Sequence, residues 1–286
     1  MREPGTQWGG CLKKRLCWLF AGLLLALYLF WIEPNWIQVH SYTVHAAALP
    51  AAFDGFRVTE IADLHGKAFG ENHTRLLRAV SGTAPDLIAI DGDLFDDKTD
   101  IASLDPLLTG LVEIAPVFYV TGNHEWTVEG LRGILEHLEA LGVTVLENEF
   151  VTLSRGDAKI AVVGVHDPNG PYDMKSKETL VAEIRQALGE DVYILMLAHR
   201  NGQLAAWSAL GVQTVLTGHG HGGLIRLPLV GGLIGVDGDL FPTYDAGVFM
   251  EGETTMVVSR GLGNSVFIPR IFNRPELPVI TLESEE

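Results

Sequence analysis

Short apolar runs alternate with amphipathic stretches along the chain from Phe53 onward. Runs with the length and β-branched content of buried strands occur at 56–62, 86–90, 117–120, 160–165, 192–197 and 212–216. Between them, apolar residues recur at helical spacing, as from Leu131 to Leu141, where Gly142 is well placed to end the helix. This alternation predicts an α/β domain with substantial parallel sheet.

A separate apolar block lies near the N-terminus. Leu16 to Ile32 is 17 residues without a charge, which at ~1.5 Å per residue barely spans a ~30 Å hydrocarbon core. The basic residues Arg2, Lys13, Lys14 and Arg15 precede the block. The positive-inside bias therefore predicts a cytoplasmic segment 1–15, a signal-anchor helix 16–36 and an extracytoplasmic remainder at the cell membrane.

The predicted organisation continues with a linker over 37–52 and one catalytic domain over 53–286. A cleavable signal peptide is the alternative to an anchor, but the nearest small-x-small site, Ala46 to Ala48, lies well past the apolar block. A linker is expected there because the stretch from Glu33 to Ala52 contains Pro34 and Pro50 and shows no clear helical pattern.

The charge of the chain narrows the classes of partner. The formal net charge is −16, and residues 33–286 alone carry −19. An acidic domain disfavours binding to nucleic-acid phosphates, so no nucleic-acid partner is expected. Cys11 and Cys17 lie in or beside the apolar block, so the rest of the chain has neither disulfides nor a thiolate metal site.

Five of the predicted strands end in polar clusters. The clusters are Asp63-Leu64-His65, Gly92-Asp93, Gly122-Asn123-His124-Glu125, Ala198-His199 and Gly218-His219-Gly220-His221. The carboxyl ends of strands in an open α/β sheet line the ligand crevice, so these side chains are expected to converge. Oxygen and imidazole ligands without thiolate suit Mn²⁺, Fe or Zn²⁺.

The order of these motifs resembles the calcineurin-like metallophosphoesterase superfamily over nearly all of residues 53–286. Within it, the chain is most similar to membrane-anchored bacterial phosphodiesterases of the YaeI and YkuE type. The resemblance implies a sandwich of two mixed β-sheets flanked by helices, with a two-metal site at one edge.

The resemblance also implies roles by position. Asp63, His65 and His221 would bind the first metal. Asn123, His199 and His219 would bind the second, and Asp93 would bridge the two. His124 would contact the substrate phosphate and help to protonate the leaving group.

Two arginines are candidates for substrate contact at the rim of the cleft. Arg200 stands where relatives of this type often have asparagine. Arg260 would meet a substrate phosphate, or else form a structural ion pair.

Other acids near the motifs receive lesser roles. Asp96 is expected to orient loop backbone or a metal-binding histidine, and Glu125 to be structural. Asp91 and Asp97 are expected to be solvated or to contact the metal-binding side chains without binding the metal themselves. His166 and Asp167 are interpreted as loop residues.

These features predict a metal-dependent phosphoesterase, and more narrowly a phosphodiesterase in which two divalent metal ions activate a hydroxide for in-line attack. The apolar stretch 222–250 would suit a lipid or another amphiphilic phosphate ester, unless it is simply a packed connection. A hydrolase of UDP-diacylglucosamine type is one alternative, although it would need a cytoplasmic active site. A non-catalytic metal-binding scaffold is the other.

Overall fold

The computed structural model describes residues 8–171, 174–236 and 238–285, with side chains from residue 13 onward. Helix α1 (Trp8–Leu27) continues through a π-helical turn (Tyr28–Ile32) into a 3₁₀ turn (Glu33–Asn35). Residues Lys13–Asn35 have a mean hydropathy of 2.0 and are almost wholly exposed, so this helix is long and apolar enough to cross a membrane. Residues 1–7 of the predicted cytoplasmic segment lie outside the described residues.

The first of two six-stranded sheets has the order β1-β14-β2-β3-β4-β5. Its strands are β1 (Gln38–Ala46), β2 (Phe56–Ile61), β3 (Leu87–Asp91), β4 (Val117–Val120), β5 (Thr144–Val145) and β14 (Glu276–Ser284). Strand β14 pairs antiparallel with β2, and every other pair in this sheet is parallel.

The second sheet has the order β12-β13-β9-β8-β7-β6. Its strands are β6 (Glu149–Arg155), β7 (Ala158–Val165), β8 (Tyr193–Ala198), β9 (Thr214–Thr217), β12 (Gly247–Glu251) and β13 (Thr254–Val258). The four central strands are parallel, and both edge strands pair antiparallel with their neighbours. A short hairpin, β10 (Arg226–Leu227) and β11 (Gly231–Gly232), follows β9.

Helices cover the outer faces of both sheets, and one apolar layer fills the space between them. The helices are α2 (Thr74–Gly82), α3 (Asp105–Ile114), α4 (Leu131–Ala140), α5 (Lys177–Leu188) and α6 (Leu204–Ala209). The first three share a core with the first sheet, and the last two share one with the second. Val58 and Phe118 meet Val162 and Leu195 in the layer between the sheets. The predicted sandwich of two mixed sheets flanked by helices is confirmed.

The predicted linker over 37–52 is wrong for residues 38–46, because these form strand β1. The strand pairs in parallel with β14 over nine residue pairs, from Gln38–Glu276 to Ala46–Ser284. Only backbone hydrogen bonds and one side-chain face tie an edge strand to its sheet. Exposed residues therefore alternate with more buried ones such as Val44 along β1. In the sequence, this mixture of polar and apolar residues resembles an irregular connection.

Candidate metal centre

Five strands bring their carboxyl ends to one edge of the sandwich. Strands β2, β3 and β4 are parallel neighbours, as are β8 and β9 in the other sheet. The candidate ligands occupy the turns just beyond these ends. They are Asp63, His65, Asp93, Asn123, His199, His219 and His221. Residues far apart in sequence therefore converge because their strands point the same way.

The converging side chains form two groups that share Asp93. One group contains Asp63, His65, Asp93 and His221, and the other contains Asp93, His199 and His219. Within each group the possible ligand atoms lie within 4.8 Å of one another. The Nε2 atoms of His65 and His221 are 3.3 Å apart, and His199 Nε2 lies 3.2 Å from Asp93 Oδ2.

The backbone at this edge is held in an unusual conformation. Five residues of the two groups have positive φ, between 48° and 63°: Asp63, His65, Asp93, His219 and His221. Left-handed backbone is uncommon outside glycine and costs on the order of 1–3 kcal/mol per residue where the surroundings enforce it. Its concentration here, in tight turns between buried strands, indicates that the turns are shaped to direct these side chains inward.

Burial keeps three of the histidines neutral. It lowers the pKa of His65 to about 4, that of His219 to about 3 and that of His221 well below its usual value. These imidazoles are therefore neutral near pH 7, which is the form that binds a metal. Burial also raises the pKa of Asp63 to about 7, and the nearby Asp93 carboxylate adds to the effect.

Buried acceptor atoms that lack a hydrogen-bond partner indicate whether a cation fits this centre. Asp63 Oδ2 and Asn123 Oδ1 are buried without a hydrogen-bond partner among the described residues. The next residue after Asn123 is His124, and its backbone N–H donates to Asp93 Oδ1 at 2.9 Å. Buried polar atoms are rarely left unpaired, so a divalent cation at this position would satisfy them. The oxygen and imidazole donors fit Mn²⁺, Fe or Zn²⁺.

Glu125 holds the loops that carry these ligands. Its fully buried carboxylate accepts hydrogen bonds from the backbone N–H groups of Gly122 at 2.8 Å, Asp93 at 3.1 Å and Leu94 at 2.7 Å. It therefore fastens the turn after β4 to the turn after β3, as the structural interpretation of Glu125 predicts.

The neighbouring aspartates divide between loop and core. Asp96 accepts from the Lys98 backbone at 3.0 Å and from Thr99 Oγ1 at 2.9 Å, so it orients its own loop. Solvation of Asp91 is wrong, because its side chain is fully buried at the end of β3. Its backbone carbonyl accepts from His199 Nδ1 at 2.9 Å, which directs Nε2 of that ring towards Asp93.

His124 and Arg200 lie at the open side of the centre. The half-buried His124 ring meets the His65 ring edge to face, with centroids 4.8 Å apart. Arg200 Nε donates to Asp167 Oδ2 at 2.5 Å, and its Nη1 lies 2.8 Å from His219 Nε2. Arg200 also lines a cavity of about 290 Å³ beside His199, so it can reach a ligand there.

Arg260 is turned away from the two ligand groups. Its Nε lies 3.3 Å from Glu276 Oε2, and its Nη2 donates to Gln38 Oε1 at 3.1 Å. The guanidinium is thus paired at the start of β1 and β14. The ion pair, which is the alternative expected for Arg260, therefore forms in this structure, and contact of Arg260 with a substrate stays a prediction.

Two further supports have no counterpart among the residues expected from sequence. Asn273 Nδ2 donates to His221 O at 2.7 Å and to Leu224 O at 3.0 Å. The buried Arg270 donates to the backbone carbonyls of Arg260 and Gly263, beside the turn that carries Asp63. Both lie in the irregular segment between β13 and β14, where the sequence offers no periodicity to mark a buried polar side chain.

Residues 56–223 match the model of the calcineurin-like phosphoesterase family. The chain belongs to this family. It is 28% identical to the uncharacterized metallophosphoesterase YkuE of Bacillus subtilis, over 90% of this chain and 89% of that protein. It is 29% identical to phosphodiesterase YaeI of Escherichia coli, over 89% and 92% respectively. Its domain is accordingly that of a hydrolase acting on phosphate esters.

One relative is named as a transmembrane protein that carries this domain. The transmembrane protein with metallophosphoesterase domain of Danio rerio is 26% identical, over 96% of this chain and 64% of that protein. This similarity agrees with α1 as a candidate membrane span.

Proposed function

We propose that the chain is a membrane-anchored phosphodiesterase that works with two divalent metal ions. The observation that carries the proposal is the position of Asp93, which belongs to both ligand groups at the sheet edge. A carboxylate shared in this way is what a two-metal hydrolase needs between its ions. The similarity to a protein named as a phosphodiesterase supports a diester as the substrate.

When bound, two such ions would supply a nucleophile at neutral pH and offset charge on the phosphoryl oxygens. The chain itself would contribute the arrangement around them. Asp63, His65 and His221 would hold one ion, and Asn123, His199 and His219 the other. The turns that carry them are already fixed by Glu125 and Asn273, so little reorganisation would accompany binding.

His124 would donate the proton that the leaving group requires. Its ring is half-buried beside His65, and its backbone is fastened to Asp93, so it faces the same space as the ligands. Arg200 would bind a phosphate oxygen or the leaving group from the rim, after exchanging part of its pairing with Asp167.

An amphiphilic diester at the outer surface of the membrane is the substrate class that we favour. A cavity of about 260 Å³ beside His219 is bordered by Pro242, Thr243 and Tyr244, and the adjoining Leu240 and Phe241 are exposed. Exposed apolar groups next to a polar site suit a ligand with an apolar portion. The basic residues Lys13, Lys14 and Arg15 before the apolar helix support the extracytoplasmic orientation.

The proposal is tested with the full-length protein in detergent, because a fragment that begins at residue 53 would lack strand β1. After removal of metal, Mn²⁺, Zn²⁺ or Fe²⁺ is restored, and turnover of bis(p-nitrophenyl) phosphate is compared with that of p-nitrophenyl phosphate. We expect metal-dependent turnover, faster on the diester. Absence of turnover with every metal would refute the proposed activity.

The role of His124 is tested separately. We expect His124→Asn to lower turnover by about 10²–10⁴-fold, as for other general acids, and to leave the bound metal unchanged. The loss should be greater for alkyl leaving groups, which need the proton, than for p-nitrophenolate. The control is His45→Asn, since His45 is exposed at the far end of β1. Equal losses for both leaving groups would contradict the assignment.

A further inference from the structure

We propose that the metal-bearing edge faces the lipid bilayer and that two loop tips beside it, Leu229–Val230 and Phe267, insert into the membrane interface. This inference rests on the membrane anchoring proposed above. It adds a second contact between the domain and the bilayer, and it fixes the direction in which the cleft opens.

The strand topology places the metal ligands at the level of the helix exit. Strand β1 begins directly after the helix and runs away from it, and β14 runs beside it in parallel from the Gln38–Glu276 pair. Strand β2 is antiparallel to β14, with Phe56 opposite Leu282 and Thr59 opposite Val279. Strand β2 therefore runs back towards the helix exit, and Asp63 lies two residues beyond its last residue.

Three basic side chains fasten the end of the membrane helix to this edge. Lys67 Nζ donates to the Pro34 carbonyl, and Arg75 donates to Asn35 O at 3.4 Å. Arg274 donates to Trp36 O at 3.0 Å and stacks on the Trp36 ring at 4.0 Å. These donors occupy the carbonyl groups that a helix end leaves unpaired. These hydrogen bonds hold the domain against the end of the helix, so the connection between them is not a flexible linker.

The residues that contact the end of the helix also lie close to the metal ligands. Lys67 is two residues beyond His65 in the turn after β2. The buried Glu33 carboxylate lies against the backbone N–H groups of Asn273 and Phe272, and Asn273 in turn donates to His221 O. Two separate chains of contact therefore connect the helix exit to the ligand turns.

Exposed apolar side chains project from this edge. Leu229 and Phe267 are essentially fully exposed, at 108% and 102% of their reference areas. Leu229 forms the tip of the β10–β11 hairpin and lines a cavity with Phe272, which is two residues from Arg274. Phe267 is carried by the loop that starts at Gly263, whose N–H donates to Asp63 O at 2.6 Å.

The hairpin tip is an unusual place for a leucine. Leu229 has a φ of 69°, in the left-handed region where glycine or asparagine is the ordinary residue of a tight turn. A soluble loop gains nothing from an exposed leucine in that conformation. Trp31 and Trp36 at the helix exit are also exposed, so the apolar surface of this edge includes side chains at the helix exit as well as at the hairpin tip. We therefore assign the bilayer as the partner of this surface.

Fluorescence quenching in phospholipid vesicles tests the assignment on the full-length chain. In a Cys11→Ser, Cys17→Ser background, Leu229→Cys and Phe267→Cys variants are labelled with an environment-sensitive dye and reconstituted with phosphatidylcholine carrying doxyl groups. The control is Met250→Cys, since Met250 is exposed but lines a cavity with Ala46, Ala47 and Ala48. At ~3.3 Å per residue, the nine-residue β1 separates that end from the helix exit by about 26 Å.

We expect blue-shifted emission and at least about fivefold stronger quenching at positions 229 and 267 than at 250. Emission at 229 and 267 that matches position 250 would overturn the inference. The thermal transition of each labelled variant verifies that it is folded, and turnover of bis(p-nitrophenyl) phosphate is measured separately. Because quenching needs no catalysis, an inactive protein with quenched tips would refute the proposed activity and leave the membrane contact standing.

Discussion

Replacement of Glu125 tests whether a residue outside the ligand set supports the metal centre by holding the turns that carry the ligands. The carboxylate belongs to neither ligand group, yet it accepts from three backbone N–H groups in two ligand turns. Glu125→Ala leaves all three donors buried without an acceptor. Asp93 then loses a bond that helps to hold its φ of 49°.

The hydrogen bonds give the size of the effect. A buried donor left unpaired costs about 1–3 kcal/mol, so Glu125→Ala should lower the free energy of unfolding by about 3 kcal/mol or more. In Glu125→Gln the amide oxygen can replace Oε2, which accepts from Gly122 and Asp93, whereas the amide nitrogen faces the Leu94 N–H. One donor is lost, so about 1–3 kcal/mol is expected. Burial, reinforced by Asp93, raises the pKa of Glu125 to about 8, which makes a neutral replacement milder still.

Urea unfolding, metal content and turnover are measured on the full-length protein in detergent. Turnover should fall about 10²-fold or more for Glu125→Ala, because a displacement of about 1 Å at a reacting centre has that effect, and less for Glu125→Gln. The control is Glu139→Ala on the exposed face of α4, expected to change stability by less than about 0.5 kcal/mol. Equal stability, full metal content and full turnover in both Glu125 variants would refute the reasoning.

Three further predictions concern the same edge and its surroundings. Asp93→Ala should abolish turnover and lower the metal content per chain, measured by mass spectrometry; retention of two metals and the full rate would contradict a shared ligand. Gly263→Ala should lose metal and stability, because its Cβ would lie 2.7 Å from the Leu64 carbonyl carbon, whereas Gly133→Ala meets open space in α4 and should be neutral or slightly stabilising. Burial acts to raise the pKa of Glu276, but His40 and Arg260 outweigh it and hold the pKa at about 2. This shift contributes ~3 kcal/mol to the free energy of unfolding above pH 4.5, and the contribution should be lost as the pH falls towards 2. In unfolding experiments, Glu276→Gln should flatten this dependence on pH.

The sequence was sufficient for the strands whose residues are buried on both faces. Runs such as Leu87 to Ile90 are continuous apolar segments, and the polar residues directly after them fall at the same sheet edge because parallel strands share a direction. Strand β1 has no such signal in the sequence. It lies at an edge with a half-exposed face, and its partner β14 is distant in sequence, so no local pattern reveals the pairing.

Side-chain pairing was the part that sequence could not supply. An arginine after a strand end is compatible with a substrate phosphate, but Arg260 pairs with Glu276 because the start of β14 returns to this turn, where the Glu276 N–H donates to Gly261 O at 3.0 Å. Asp91 and Asp93 are two residues apart, and strand alternation sends both to the same side. Yet Asp91 ends in the space between the sheets, whereas the turn at Gly92 and Asp93 directs the second carboxylate into the centre.

The pairing of β1 with β14 has a consequence for biosynthesis. Residues 38–46 leave the ribosome soon after helix α1, but their hydrogen-bond partners at 276–284 are made only after the strands and helices between them. The nascent chain must therefore keep an unpaired strand beside helix α1 for most of translation, and the first sheet cannot close until synthesis has reached β14. Such long-range closure slows folding, so this stage is where a chaperone or a protease would find the chain most accessible.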